Sequence, residues 1–432
     1  MTSIREIVPL RSVPEAVVDL PGSKSITNRA LLLAALCPQQ VTITHALDSE
    51  DTQVMQESLT RLGFQITKPC PDTIIIRGEG GKIPAAQADL WVANAGTAAR
   101  FLTAMVALGD GTYRLDGTPR MRQRPIQPLL DALNALGAEA VSEAGTGCPP
   151  VTVRARGLKG GEVSVRGDIS SQFLSALMMV APCASGSVTI HIEGNLVSAP
   201  FVQMTLRMMK QFGVDACWEE RNARIVVPAP QQYHLTGDAT YAVEPDATAA
   251  SYFFAAAAIT GGRVRVPGLS RESLQGDIRF VDILEQMGCA VCWLPDAVEV
   301  QGTATLHGVD VNMSDISDTF ITLAVVAPFA DGPTRIRGVE HARYQESNRV
   351  SAVATELRRL GVSVEEHTDG LTIYPGKPTG GIVQTYNDHR IAMAFALIGL
   401  RVPGIAIADP ECVHKTFPNF FEKLQELQGG AR

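Results

Sequence analysis

Two apolar patterns alternate along the chain and divide it into repeats. The first begins polar and then turns apolar on every side: GSKSITNRALLLAAL, NAGTAARFLTAMVAL, DISSQFLSALMMVA, EPDATAASYFFAAAA, SDISDTFITLAVVA and NDHRIAMAFALIGL. A helix apolar all round has no solvent face, so each stretch predicts a helix inside a domain with only its start exposed. Counted from Gly22, Asn94, Asp168, Glu244, Asp315 and Asn387, the starts lie 72, 74, 76, 71 and 72 residues apart. The second pattern is amphipathic and ends in glycine: QESLTRLG, DALNALG, LRMMKQFG, DILEQMG and TELRRLG. Glycine just past a helix end takes the left-handed conformation that caps it. Short alternating runs such as FQITKP with TIIIRG, or VSVEE with LTIYP, follow each glycine and predict strands.

One unit therefore reads helix, strand, helix, strand, strand. The sixth unit has its buried helix, the strand GIAIAD and a helix at FFEKLQEL, and then ends. Residues 1–21 hold two strand-like pieces, IREIVPL and AVVDL, so the N-terminus is expected to complete the last unit. The fold class is α/β with two similar domains of three repeats each. One domain spans residues 22–240, the other residues 1–21 with 241–432, and the chain crosses over near 21 and 240. Helices of the first kind belong in the domain interiors, and their six polar starts are candidates for one shared surface.

Composition narrows the chemistry. The 432 residues are 45% hydrophobic and only 19% charged, with a net charge of −8 and both signs mixed along the chain, which excludes a nucleic-acid partner. An anionic ligand would need a local concentration of cations. No apolar run reaches the ~18 residues of a membrane span, and MTSIREIVPL lacks the basic start and apolar core of a signal peptide. The expectation is a cytoplasmic protein with no membrane partner and, lacking heptads or a long apolar surface stripe, a monomer. The eight cysteines are scattered and read as reduced thiols; Cys289 and Cys292 form a CxxC with no second pair or nearby histidine, so no metal is assigned.

The candidate chemistry gathers at the helix starts. A helix N-terminus is already partly positive, so Lys24 and Arg29 in GSKSITNR stand at the wrong end unless an anion joins them. Ser25 and Arg29, four apart, share a face with Lys24 just before them. Gly96 in NAGTAAR permits close approach to the backbone, and Arg124 in RQRPI adjoins the proline that opens a helix. Ser170, Ser171 and Gln172 offer three polar side chains in a row, and Ser198 can join them. The second half adds carboxylates: Asp315 and Asp318, Glu346 between Arg343 and Arg349, then Asp388, His389, Arg390 and Lys415. Acids beside cations suit proton transfer next to a bound anion, whereas ordinary ion pairing is the plain alternative.

The segments LPGSKSITNRALLLAAL, NAGTAARFLTA, RQRPIQPLLDALNALGA, SSQFLSAL, QESNRV, YNDHRIAMAF and HKTFPNFF resemble, in order and over the whole chain, the signatures of the 5-enolpyruvylshikimate 3-phosphate (EPSP) synthase family of enolpyruvyl transferases. The resemblance implies six βαβαββ units in an inside-out α/β barrel arrangement, closing on shikimate 3-phosphate and phosphoenolpyruvate with no metal or organic cofactor. It places phosphoenolpyruvate at Lys24, Gly96, Arg124, Gln172, Arg349, Arg390 and Lys415. It places shikimate 3-phosphate at Ser25, Arg29, Ser170, Ser171, Gln172, Ser198, Asp318 and Gln345. The catalytic set it implies is Lys24, Asp318, Glu346 and Lys415. Glyphosate is implied as an inhibitor of the enol pocket.

Several positions depart from the family pattern. Gln345 stands where a lysine is usual, His341 for an asparagine and Phe201 for a tyrosine; Arg343 is a second cation that could compensate for the loss at Gln345. Ala99 and Phe101 replace a methionine and a proline after NAGTA, which implies altered glyphosate inhibition. A UDP-N-acetylglucosamine enolpyruvyl transferase is the nearest rival reading, but its cysteine-bearing loop has no counterpart near RMRQRPI. A non-catalytic binder of phosphorylated metabolites has little use for Asp318 and Glu346 among cations.

Overall fold

A computed structural model describes residues 3–427. The repeat appears as six helix pairs: α1 Lys24–Leu36 and α2 Glu50–Arg61; α3 Gly96–Val106 and α4 Gln127–Ala135; α5 Ser171–Val180 and α6 Ala199–Gln211; α7 Ala247–Thr260 and α8 Phe280–Gln286; α9 Phe320–Val326 and α10 Arg349–Arg359; α11 His389–Gly399 and α12 Phe420–Glu426. The first helix of each pair is the apolar one. Every residue of α3, α9 and α11 is buried, as are Ile26–Leu36 of α1. Gly63, Gly137, Gly213, Gly288 and Gly361, just past the amphipathic helices, all have positive φ, between 75° and 101°. The capping role assigned to them is thus met.

The strands form six small mixed sheets. In each, a leading strand runs parallel to the strand after the buried helix, as Gln87–Trp91 does beside Asp110–Asp116. That second strand pairs antiparallel with the repeat's last strand, as Asp110–Asp116 does with Val151–Arg156.

Two leading strands depart from sequence order. The N-terminus was expected to complete the sixth repeat, and Ile4–Glu6 does so, antiparallel to Ile405–Ala408. Glu15–Val17 instead joins the fourth repeat, parallel to Arg263–Pro267. Thr240–Ala242 in turn joins the first repeat, parallel to Gln40–Thr44. The chain divides into two compact units, Met1–Pro21 with Glu244–Arg432, and Gly22–Val243. Both exchanged strands immediately precede a passage from one unit to the other, so each stays in the unit the chain is about to leave.

In the unit holding Glu244–Arg432, α7, α9 and α11 pack against one another. This brings the start of α11 beside the turn Ser314–Thr319 that precedes α9. In Gly22–Val243, α3 packs on α1, α2 and α5, and α5 packs on α6. The buried helices thus set which helix starts become neighbours. Among the described residues no helix is long and apolar enough to cross a membrane.

Candidate functional site

In Gly22–Val243 the cations lie at the starts of the buried helices. Ser23 caps α1, its hydroxyl accepting from the Ile26 N–H at 3.4 Å. Lys24, next in line, has its Nζ 3.4 Å from Asp51 Oδ2 in the first turn of α2. One turn further, Arg29 is 2% exposed and joins three elements. Its Nε donates to Thr205 Oγ1 on α6 at 2.8 Å, its Nη2 to Ser175 Oγ on α5 at 3.0 Å, and its Nη1 to the Ser25 carbonyl at 3.1 Å. The Phe101 and Phe201 rings lie 5.1 and 5.7 Å from the guanidinium carbon. None of these partners carries a full charge. Burial lowers the Arg29 pKa to about 9, with a smaller opposing pull from Tyr241. Uncompensated charge in a dry site favours the arrival of an anion.

Arg124 is 5% exposed and donates from Nη1 to the Asn94 carbonyl at 3.0 Å and to Asn94 Oδ1 at 3.2 Å. Gly96 is what admits it, since a Cβ there would lie 2.4 Å from Arg124 Nη2. The glycine thus makes room for a cation of the protein itself, a different close approach from that of a ligand to the backbone. Arg100 is tied to structure, with Nη2 donating to the Pro125 carbonyl at 2.7 Å. Arg122 pairs with Asp116 through two bonds of 2.9 and 2.7 Å. At the head of α5, Ser170 Oγ accepts from the Gln172 N–H at 3.2 Å, Ser171 is buried and Gln172 half-buried. Ser198 occupies the position just before α6 in the left-handed region, at φ 53°, without a side-chain capping bond to the helix.

The unit with Glu244–Arg432 holds a denser cluster. Arg349, at the first position of α10, donates to Asp388 from Nε at 2.8 Å and from Nη2 at 3.2 Å. Its Nη2 also lies 2.9 Å from Glu346 Oε2. Its Nη1 reaches Asp318 Oδ1 at 3.2 Å and Gln345 Oε1 at 2.5 Å. Asp318 in turn accepts from Arg390 Nη2 at 2.7 Å through its other oxygen. Burial alone would lower the pKa values of both arginines, but Asp388 and Glu346 around Arg349, and Asp318 beside Arg390, raise them. Lys415 is buried in the turn Pro410–Lys415, which packs along α11.

The structure therefore joins Asp318, Gln345, Glu346, Arg349 and Arg390 in one network, and brings Arg29 against Ser175 of α5 and Thr205 of α6. At the positions that depart from the family pattern, one expectation fails and two side chains gain defined partners. Arg343 cannot stand in for a lysine at 345, because its guanidinium is held by Glu366 Oε1 at 2.6 Å, Ser351 Oγ at 3.1 Å and the His367 carbonyl at 2.7 Å. Gln345 has its amide oxygen on Arg349. His341 is buried and its Nε2 meets Ser317 Oγ at 2.9 Å; burial lowers its pKa, so it is a neutral polar neighbour of the Asp318 turn. Two carboxylates escaped the sequence reading. Asp51, in the first turn of α2, carries no distinguishing signal in the sequence. Asp277, buried before α8, stands in the mixed stretch QGDIRF, where nothing in the sequence marks it as buried.

Comparison with known proteins converges on one family. The family model described as EPSP synthase (3-phosphoshikimate 1-carboxyvinyltransferase) matches residues 11–424. A 3-phosphoshikimate 1-carboxyvinyltransferase of Nostoc punctiforme is 49% identical over 423 residues, covering 98% of each chain. One from a Marinomonas species is 46% identical over 413 residues, 95% of this chain and 96% of the relative. Among solved structures, EPSP synthase from Acinetobacter baumannii superposes with a TM-score of 0.82 at 25% identity, covering 98% of both chains.

Proposed function

The chain belongs to the EPSP synthase family, whose reaction moves the carboxyvinyl group of phosphoenolpyruvate to the 5-hydroxyl of shikimate 3-phosphate, and we propose that Asp318 is the base at its centre. The observation that carries this is the position of Asp318 between two buried guanidiniums, 3.2 Å from Arg349 and 2.7 Å from Arg390. Those two guanidiniums are the cations assigned to the anionic donor, which would compete with Asp318 for them, and the carboxylate is assigned to the place where the acceptor hydroxyl gives up its proton.

In the addition step, the 5-oxygen bonds to C2 of the enol, its proton passes to Asp318, and C3 gains a proton. In the elimination step, C3 loses a proton and the C2–O bond to phosphate breaks, leaving the enol ether and inorganic phosphate. Glu346, oriented by Arg349 at 2.9 Å, is the group assigned to proton exchange at C3. Lys24 and Lys415 supply electrostatic assistance to the departing phosphate. Phosphoenolpyruvate is bound by Lys24, Arg124, Gln172, Arg349, Arg390 and Lys415, with Gly96 setting the position of Arg124. Shikimate 3-phosphate is bound by Ser25, Arg29, Ser170, Ser171, Gln172 and Ser198, with Asp318 and Gln345 on its reacting side. No residue in this scheme requires a metal.

Measuring phosphate release with phosphoenolpyruvate and either shikimate 3-phosphate or UDP-N-acetylglucosamine separates the readings. Release is expected with shikimate 3-phosphate alone. Asp318→Ala should lower kcat by about two to four orders of magnitude, the range for loss of a positioned acid or base; near-normal turnover would remove its role. The protein is further proposed to act as a cytoplasmic monomer. Glyphosate inhibition is expected to be altered by Ala99 and Phe101, which are both buried, the second beneath Arg29. Restoring methionine and proline at those positions should change the inhibition constant for glyphosate.

A further inference from the structure

The turn Gly276–Arg279 braces the start of α7 from outside the helix. Gln275 Oε1 accepts from the Ala247 N–H at 3.0 Å, and the Thr248 hydroxyl donates to Asp277 Oδ2. Both Glu244 carboxylate oxygens accept from the Leu274 N–H at 3.0 Å, so the turn and the helix start hold one another. Asp277 is 4% exposed, and its second oxygen has no hydrogen-bond partner among the described residues.

The bond to Thr248 does not require an acid, since an amide oxygen would accept it equally well. What distinguishes a carboxyl here is its charge, and the groups facing it are charged. The turn of Asp277 packs against the Asp318 turn, Ser314–Thr319, where Asp318 accepts from Arg390 Nη2 at 2.7 Å, and the charge of Asp246, at the head of α7, also acts on it. Asp315, on the Asp318 turn, is taken up by Arg279 at 3.2 Å. Burial first, and then the charge of Asp318, raise Asp277 to about 7, against the opposing pull of Thr248 and Arg390.

We infer that Asp277 is a positioning residue that takes up a proton when the phosphorylated donor binds, and so governs how firmly Arg390 holds that donor. The inference rests on the reading that Arg390 binds phosphoenolpyruvate. When ionised, Asp277 is a further anion whose charge acts on the Arg390 guanidinium and opposes an incoming anion. When protonated, it leaves the Arg390 charge to Asp318 and the donor. Donor binding therefore favours the protonated carboxyl, the proton coming from solvent and returning to it when phosphate leaves.

The test is the pH dependence of kcat/KM for phosphoenolpyruvate at saturating shikimate 3-phosphate, from pH 6 to 9, in the natural protein, Asp277→Asn and Thr248→Val. Ionisation of the donor phosphate is common to all three and cancels in their ratios. The ratio of natural protein to Asp277→Asn should fall about five- to tenfold as pH rises through about 7, mainly through KM. Thr248→Val, which removes a donor to the carboxylate, should displace that fall to higher pH. A flat ratio, with Thr248→Val superimposed on the natural protein, overturns the inference; should Asp277→Asn fail to fold, Thr248→Val decides alone. Arg390→Lys separates the two levels: with that variant impaired in donor use, a flat ratio removes only the role of Asp277. With donor use unchanged in Arg390→Lys, the reading beneath falls and takes the inference with it.

Discussion

Arg29 shows how a residue suited to binding can burden the fold that carries it. Its guanidinium is fully buried among hydroxyls, carbonyls and two aromatic faces, and burial draws its pKa from 12.5 to about 9. A cation depressed in this way disfavours the native state below pH 9, and the penalty eases as pH rises from 9 towards 12.5, where the unfolded chain still holds its proton. Replacing buried ions by apolar groups of similar volume is often neutral or stabilising by about 1–4 kcal/mol. Arg29→Met should therefore leave the melting temperature of the ligand-free protein unchanged or raise it, and should abolish the rise that shikimate 3-phosphate gives the natural protein. Thermal melts with and without the ligand check both halves, and a ligand-free loss of several degrees would mean that Arg29 is already compensated. Gln345 calls for a different measurement. Its bond to Arg349 is charge-assisted, a class worth about 1.5–3 kcal/mol, so Gln345→Leu should raise KM for phosphoenolpyruvate about ten- to a hundredfold through Arg349, and should also raise KM for shikimate 3-phosphate, on whose reacting side it is assigned. An increase confined to shikimate 3-phosphate would put the amide's contribution on the acceptor instead.

Among the elements, the start of α3 is where backbone and site depend most directly on each other. Gly96 is the first residue of α3, and the Arg124 guanidinium fills the space that a side chain would occupy. An added methyl would displace the end of a flexible side chain without opening the core. Gly96→Ala should therefore cost about 1 kcal/mol or less in stability, and it should raise KM for phosphoenolpyruvate tenfold or more by moving a cation out of register. Steady-state kinetics beside a denaturant titration would show the split; equal losses in both would make Gly96 a packing residue only. This pairing was invisible in the sequence, because 28 positions separate the glycine from the arginine and no periodicity links them. The buried helices and their capping glycines were legible because both rest on local patterns, all-round apolarity and a glycine after an amphipathic turn. The cations at the helix starts stood out because they oppose the helix dipole. Side-chain partnerships were not legible: Arg343 was open to a binding role until Glu366, 23 positions away, was seen to hold it.

For the whole molecule, the exchange of leading strands decides where a domain ends. The periodicity put the end of the first three repeats near 240, because the next buried helix begins soon after and three-residue strands carry almost no sequence signal. Thr240–Ala242 completes the first repeat's four-stranded sheet against Gln40–Thr44, and Tyr241 between them is buried, its ring 5.1 Å from that of Phe212. Residues 22–243 thus contain every strand of three complete sheets and six helices around their own core, the requirement for folding alone. A fragment of residues 22–239 has the same helices and an open edge along Gln40–Thr44. Losing the burial of one aromatic side chain costs about 2–3 kcal/mol, and for a fragment of this size each kcal/mol corresponds to about 2–4 °C. The fragment 22–243 is expected to melt cooperatively as a monomer. The fragment 22–239 should melt about 5–10 °C lower and associate through the exposed edge, since an unpaired strand is a template for another chain. Circular dichroism melts and gel filtration of the two fragments decide the matter; identical behaviour would mean that the last strand adds nothing to the domain it completes.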